Sequence, residues 1–132
     1  MFDDIEVVVS DLAKSKVVYA QALAPVGHSR VVQIMLDGGP KPGAGFCNED
    51  GSDLSISQGE PTRPLHIAFR VSSRAGVDAF HVAALFANGE DNGAPGLRPQ
   101  YHPNYYGAYV LDPDGHNIEA VCHDAPDPDG SM

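Results

Sequence analysis

Basic residues are scarce in this chain: 8 lysines and arginines stand against 18 aspartates and glutamates among 132 residues, for a formal net charge of -10. Most of such a surface repels a phosphate backbone or an anionic lipid headgroup, so nucleic-acid and membrane partners are disfavoured. Cysteine is scarcer still. Cys47 and Cys122 are too few for a structural zinc site on their own, and both fall in apolar stretches that read as strands, where free buried thiols in a reducing cytosol are favoured over a disulfide. No segment reaches the roughly 18 to 20 apolar residues that span a bilayer. The opening MFDDIEVVVSDL carries acids where a secretory signal carries positive charge. A cytoplasmic location is the expectation.

Several catalytic signatures are missing as well. There is no GxGxxG or GxxxxGK[ST] phosphate loop, no GxSxG nucleophile elbow, and no electropositive helix start beside either cysteine. The glycine cluster Gly38–Gly45 follows a strand without opening a clear helix.

What is present suits one core: 42% of the residues are hydrophobic, enough for a single domain over 1–124 and too little for two. The last residues, 125–132, alternate Asp, Pro and Gly and are expected to be disordered.

The chain reads as two similar halves. Asp4–Val9 is a β-branched run followed by Ser10 and Asp11, either of which suits a helix N-cap, and Leu12–Leu23 has helix-period apolar positions. Strands are expected at Arg30–Leu36, Gly45–Asn48 and Asp53–Ser57, with a glycine- and proline-rich loop over Asp37–Gly43 and a tight turn at Asp50-Gly51. After a polar connector, Leu65–Val71 is again a strand and Val77–Phe86 again a helix, stopped at Asn88-Gly89. A weak strand is placed within Glu90–Gln100, then Tyr106–Leu111 and Asn117–Cys122 joined by DPDGH. Each half is therefore β-α-β-β-β, module one over about 4–57 and module two over about 65–122. Val9-Ser10 aligns with Val71-Ser72, and Asp50-Gly51 with Asp114-Gly115, which makes an internal duplication plausible.

Three stretches carry a family resemblance: VSDLAKSKVVYAQALAPVG, PLHIAFRVSSRAGVDAFHVAAL, and YHPNYYGAYVLDPDGHNIE, the last fixing the most residue types at fixed spacing. Together they resemble the vicinal oxygen chelate superfamily (glyoxalase, bleomycin resistance protein, dioxygenase), and within it the small glyoxalase-like branch. The resemblance implies an α+β fold of paired βαβββ modules, a curved mixed sheet around a cleft. It also implies a divalent ion (iron, manganese, zinc or nickel) held by residues on the first and last strands of each module. The matching positions are Asp4 and His66, each six residues before its serine, and Ser55 and Glu119, each five residues after its aspartate.

His66 and Glu119 match the family's ligands. Asp4 stands where a histidine is usual, and Ser55 where a fourth ligand often lies; a neutral hydroxyl is a poor ligand. The implied metal set is therefore Asp4, His66 and Glu119. The bland alternative makes Asp4 a solvated strand-end acid, and His66 a core histidine with Glu119 as its hydrogen-bond partner.

Glu119, His102 and Tyr105 are the candidates for proton transfer or for orienting an oxyanion, with Tyr106 ranked below them. Arg98 reads as a surface arginine that could alternatively meet a substrate carboxylate. His116 reads as a hairpin residue, and His28 and His81 as ordinary strand-start and helix residues. His123, just past the last strand, could fall near the cleft rim, though nothing in the spacing demands it. Three functions stay open: a metal-dependent lyase, isomerase or dioxygenase acting on a small molecule with vicinal oxygens, a metal-free ligand-binding protein of the bleomycin-resistance type, and a regulatory or stress-associated domain with a vestigial site. The exposed strand edges of a half-barrel favour a homodimer.

Overall fold

The computed structural model describes residues 4–36, 41–49, 53–61 and 64–126. In module one these are β1 (Asp4–Val9), α1 (Leu12–Leu23), β2 (Arg30–Leu36), β3 (Lys41–Cys47) and β4 (Asp53–Gln58). Module two has β5 (His66–Arg70), α2 (Arg74–Phe86), β6 (Glu90–Leu97), β7 (Tyr106–Leu111) and β8 (Asn117–Cys122). The Asp50-Gly51 turn and the tail from Asp127 onward lie outside the described residues.

The strands form two mixed four-stranded sheets of identical topology, β1-β4-β3-β2 and β5-β8-β7-β6. In each, the first strand of the module pairs in parallel with the last. The duplication read from the sequence is thus visible in register: Asp4 faces Asp53 across β1 and β4 as His66 faces Asn117 across β5 and β8. Ser55 and Glu119 accordingly occupy equivalent places.

Both helices begin where a side chain satisfies the free N–H groups of the first turn. Asp11 Oδ1 accepts from Lys14 N at 3.1 Å, and Ser73 Oγ accepts from Gly76 N at 3.1 Å. The second cap starts α2 at Arg74 rather than at Val77, where the apolar period alone puts it. α2 ends on Asn88, whose φ of 74° is the left-handed conformation that closes a helix, with Gly89 N reaching back to Ala84 O at 2.8 Å.

Strand β3 also begins earlier than expected, at Lys41, taking in the end of the glycine- and proline-rich segment. The proline is tolerated because Pro42 pairs with Met35 of β2, whereas β4 pairs with β3 only from Gly43 onward.

One face of each sheet packs under its helix into a single core. Val7, Val9, Phe46, Leu54 and Ile56 of the first sheet belong to the same buried cluster as Ile67, Phe69, Val110, Ile118 and Ala120 of the second. The modules are also tied by polar links. Tyr19 of α1 donates to Asp112 Oδ2 at 2.7 Å, Ser10 N to Asp114 Oδ2 at 3.0 Å, and His116 Nε2 approaches Val8 O at 3.4 Å. Among the described residues no helix is long and apolar enough to cross a membrane.

Candidate functional site

Strand alternation decides which side chains share the open face of the second sheet. On β5, Ile67 and Phe69 enter the core, leaving His66, Ala68 and Arg70 on the other side. On β8, Ile118, Ala120 and Cys122 are core, so Asn117, Glu119 and Val121 share the face of His66. On β7, Ala108 and Val110 are core, which puts Gly107, Tyr109 and Leu111 on the open face. Glu119 lies opposite Ala68 on one side and Tyr109 on the other.

Glu119 is only 1% exposed. A buried carboxylate without partners would cost several kcal/mol, and here both oxygens are met. His66 Nε2 lies 2.8 Å from Oε1, with its own side chain 54% exposed, while the Tyr105 hydroxyl donates to Oε2. Gly107 makes room for this: a Cβ there would sit 3.3 Å from Glu119 Oε2 and 3.3 Å from Tyr105 Cε1. Burial and the adjacent carboxylate push the Tyr105 phenol well above its ordinary pKa, and burial followed by Glu119 raises Tyr109. Tyr105 therefore remains a hydrogen-bond donor throughout the neutral range.

A second cluster borders the first. Asn104 N donates to His102 Nδ1 at 3.1 Å, which leaves the His102 proton on Nε2, from where it is donated to His123 Nδ1 at 2.6 Å. The two imidazoles stack with centroids 4.9 Å apart, and Tyr105 meets both edge-on at 5.6 and 5.3 Å. Burial, then Arg70, then His102 hold the His123 pKa below its ordinary value.

The sequence-predicted residues separate as follows. His66, Glu119 and Tyr105 converge. His102 touches Tyr105 and has both ring nitrogens engaged elsewhere. Asp4 begins β1, and its side chain lies outside the described residues. Ser55 is buried in the equivalent place of the first sheet. Tyr106 points to the helix side, donating to Asp78 at 2.6 Å under the Arg74 guanidinium, and does not share the face of Glu119. His116 accepts from Leu65 N at 2.9 Å and so braces the residue before His66. Tyr109 and Gly107 were not singled out by sequence reasoning; the period-2 pairing of β7 with β8 is the signal that places Tyr109 beside Glu119.

His66 and Glu119 suit a divalent ion. The 2.8 Å between Nε2 and Oε1 is that of a direct hydrogen bond; two donors about 2.1 Å from one ion and at right angles would stand about 3.0 Å apart, so an ion would replace that hydrogen bond with little movement of either side chain. Among the described residues no three His, Cys, Asp or Glu side chains converge on one point, so any third protein ligand comes from elsewhere.

No protein-family model and no curated protein sequence matches the chain. Solved structures do. A glyoxalase/bleomycin resistance protein from Albidiferax ferrireducens superposes with a TM-score of 0.73 at 25% identity, over 94% of this chain and 99% of that one. The fosfomycin resistance protein FosX from Listeria monocytogenes superposes with a TM-score of 0.67 at 18% identity, over 100% of this chain and 98% of that one. A variant of FosX, solved with Mn(II) and 1S,2S-dihydroxypropylphosphonic acid, gives a TM-score of 0.64 at 20% identity, over 92% and 88% of the two chains. The chain has the fold of the glyoxalase/bleomycin resistance/dioxygenase proteins, the vicinal oxygen chelate architecture that its sequence resembles.

Proposed function

We propose that this chain is a metal-dependent enzyme acting on a small molecule with two adjacent oxygens, with His66, Glu119 and Asp4 as the protein ligands of a divalent ion. The observation that carries this reading is the His66 Nε2–Glu119 Oε1 separation of 2.8 Å on neighbouring strands, with the carboxylate buried and the imidazole half open to solvent. The neighbour with Mn(II) and a vicinal diol supports the same ligand class. A bound divalent ion supplies Lewis acidity toward both substrate oxygens.

The chain's own groups do the rest. Tyr105 holds Oε2 of Glu119, which leaves Oε1 and the imidazole facing the same side. Glu119 and the Tyr105 phenol are the proton-handling groups at that point, and His102, packed on the Tyr105 ring, orients it. A specific observation favours a second reading, a metal-free binding protein: Ser55 replaces a ligand, and no third donor converges among the described residues.

Metal content decides between the two. Protein purified without chelator, and then titrated with manganese, zinc, iron and nickel salts, is expected to hold one ion per site, and His66→Ala and Glu119→Ala to lose it. A wild-type protein that arrives metal-free and takes up none on titration leaves the binding-protein reading.

A further inference from the structure

Strand β6, EDNGAPGL, is poor strand material, with two glycines and a proline, and its pairing with β7 shifts register between Asp91 and Gly93 and again between Gly93 and Gly96. What the glycines make room for is visible next to them. A Cβ on Gly93 would lie 2.7 Å from Tyr109 Cδ2 and 3.3 Å from Arg98 Nη2, and one on Gly96 would lie 3.1 Å from Arg98 Nη1. Arg98 folds back over this bare strip. Its Cζ sits 5.3 Å from the Tyr109 ring centroid, Nη2 donates to Ala94 O at 2.9 Å, and its backbone N donates to Tyr105 O at 2.7 Å.

The guanidinium thereby lies against the ring of Tyr109, the residue that faces Glu119 across β7 and β8 and whose ring centroid is 6.3 Å from that of His66. In a chain with 18 acidic residues, no carboxylate among the described residues forms an ion pair with it. One of its five N–H donors is committed to Ala94; the rest of the fork has the planar geometry that matches a carboxylate.

We propose that Arg98 is a specificity-determining residue that takes the carboxylate of the small molecule bound at this face, so that the ligand is an organic acid whose charged end lies beyond Tyr109 from His66 and Glu119. The proposal rests on the reading of this face as a small-molecule site, and it is independent of whether an ion is held there.

The test uses protein freed of metal on a chelating resin, titrated with 3-phenylpropionate and with its neutral twin 3-phenylpropanamide while the backbone amides are followed by NMR. The acid is expected to bind about tenfold more tightly than the amide, shifting the amides of Gly93, Gly96, Arg98 and Tyr109. Arg98→Gln is expected to abolish the difference, and Arg98→Lys, which keeps the charge and loses the fork, to restore part of it. Should Arg98→Gln fail to fold, Gly96→Ala, which crowds Nη1 and leaves the charge in place, must weaken acid binding. Equal binding of acid and amide, an acid preference that survives Arg98→Gln, or no shift at these amides overturns the proposal. Because no metal is present, each of these outcomes is separate from success or failure of the metal titration.

Discussion

Removing a single oxygen tests whether the buried carboxylate of Glu119 depends on its partners. In Tyr105→Phe the ring stays packed against Tyr101, His102 and His123, and only the hydroxyl that donates to Glu119 Oε2 is lost. At 1% exposure the carboxylate has little access to replacement water. A hydrogen bond to a charged group contributes about 1.5–3 kcal/mol, and that is the expected loss in unfolding free energy. For 132 residues the unfolding entropy is about 0.28 kcal/mol/K, so Tm should fall by about 5–11 °C.

The assay is urea unfolding of metal-free protein at neutral pH, run as a double-mutant cycle with Glu119→Gln. An amide acceptor makes the ordinary neutral hydrogen bond of about 1 kcal/mol, so in that background Tyr105→Phe should cost less, with a coupling of about 1 kcal/mol. A loss below about 0.5 kcal/mol, the range of ordinary surface substitutions, or a coupling near zero would show that Glu119 is held by something other than Tyr105.

Two further perturbations probe the frame around the site. Tyr19→Phe removes the link from α1 of module one to the β7–β8 turn of module two; Asp112 is 4% exposed, so unfolding measurements should show a loss of about 1.5–3 kcal/mol, and a neutral substitution would mean that this hydrogen bond does not help to hold the modules together. Asp91 accepts from His81 Nε2 at 2.9 Å and from Gly93 N at 3.0 Å, and chiefly the His81 hydrogen bond, then the Gly93 one, holds its pKa below the ordinary value of 3.8. A depressed carboxylate stabilises the fold fully above its unfolded pKa and loses that contribution as pH falls through the lower folded pKa. Thermal melts across the acid range should therefore show a shallower acid loss for Asp91→Asn than for wild type, and parallel curves would sink the assignment.

The legibility of the fold and the opacity of parts of the site have the same origin. Strand pairing is periodic, so once Val9-Ser10 is laid over Val71-Ser72 Asp4 falls on His66, and once Asp50-Gly51 is laid over Asp114-Gly115 Ser55 falls on Glu119; the approach of His66 to Glu119 from a neighbouring strand follows. The first helix cap was readable too, since Ser10 or Asp11 brackets the correct choice, whereas the Ser73 cap of α2 was hidden because the apolar period begins only at Val77. Tyr105 was reachable only through the family resemblance. It precedes β7 and arrives at Glu119 because Gly107 leaves a gap, a relation that no periodicity encodes. The Arg98 seat was least readable. Glycine and proline in β6 look like loop composition, and two register shifts erase the alternation that would have shown which way Arg98 folds.

The two sheets also explain why the histidine–carboxylate pair occurs in one half. Glu119 has Ala68 opposite it on β5, a side chain too small and neutral to interfere. Ser55, at the same place in module one, has Glu6 opposite it on β1, and Glu6 already accepts from Ser57 Oγ at 2.9 Å. A carboxylate at position 55 would face a like charge directly across the strand pair, which is destabilising in itself, and burial would deepen the penalty because Ser55 is 3% exposed. Module one thus keeps the backbone of the duplicated unit while its own acid, two residues along β1 from Asp4, excludes a second copy of the Glu119 arrangement. On the proposed ligand set, an ion at this face would rest on Asp4 and one histidine–carboxylate pair rather than on two such pairs, and its affinity should be correspondingly sensitive to any change at His66 or Glu119.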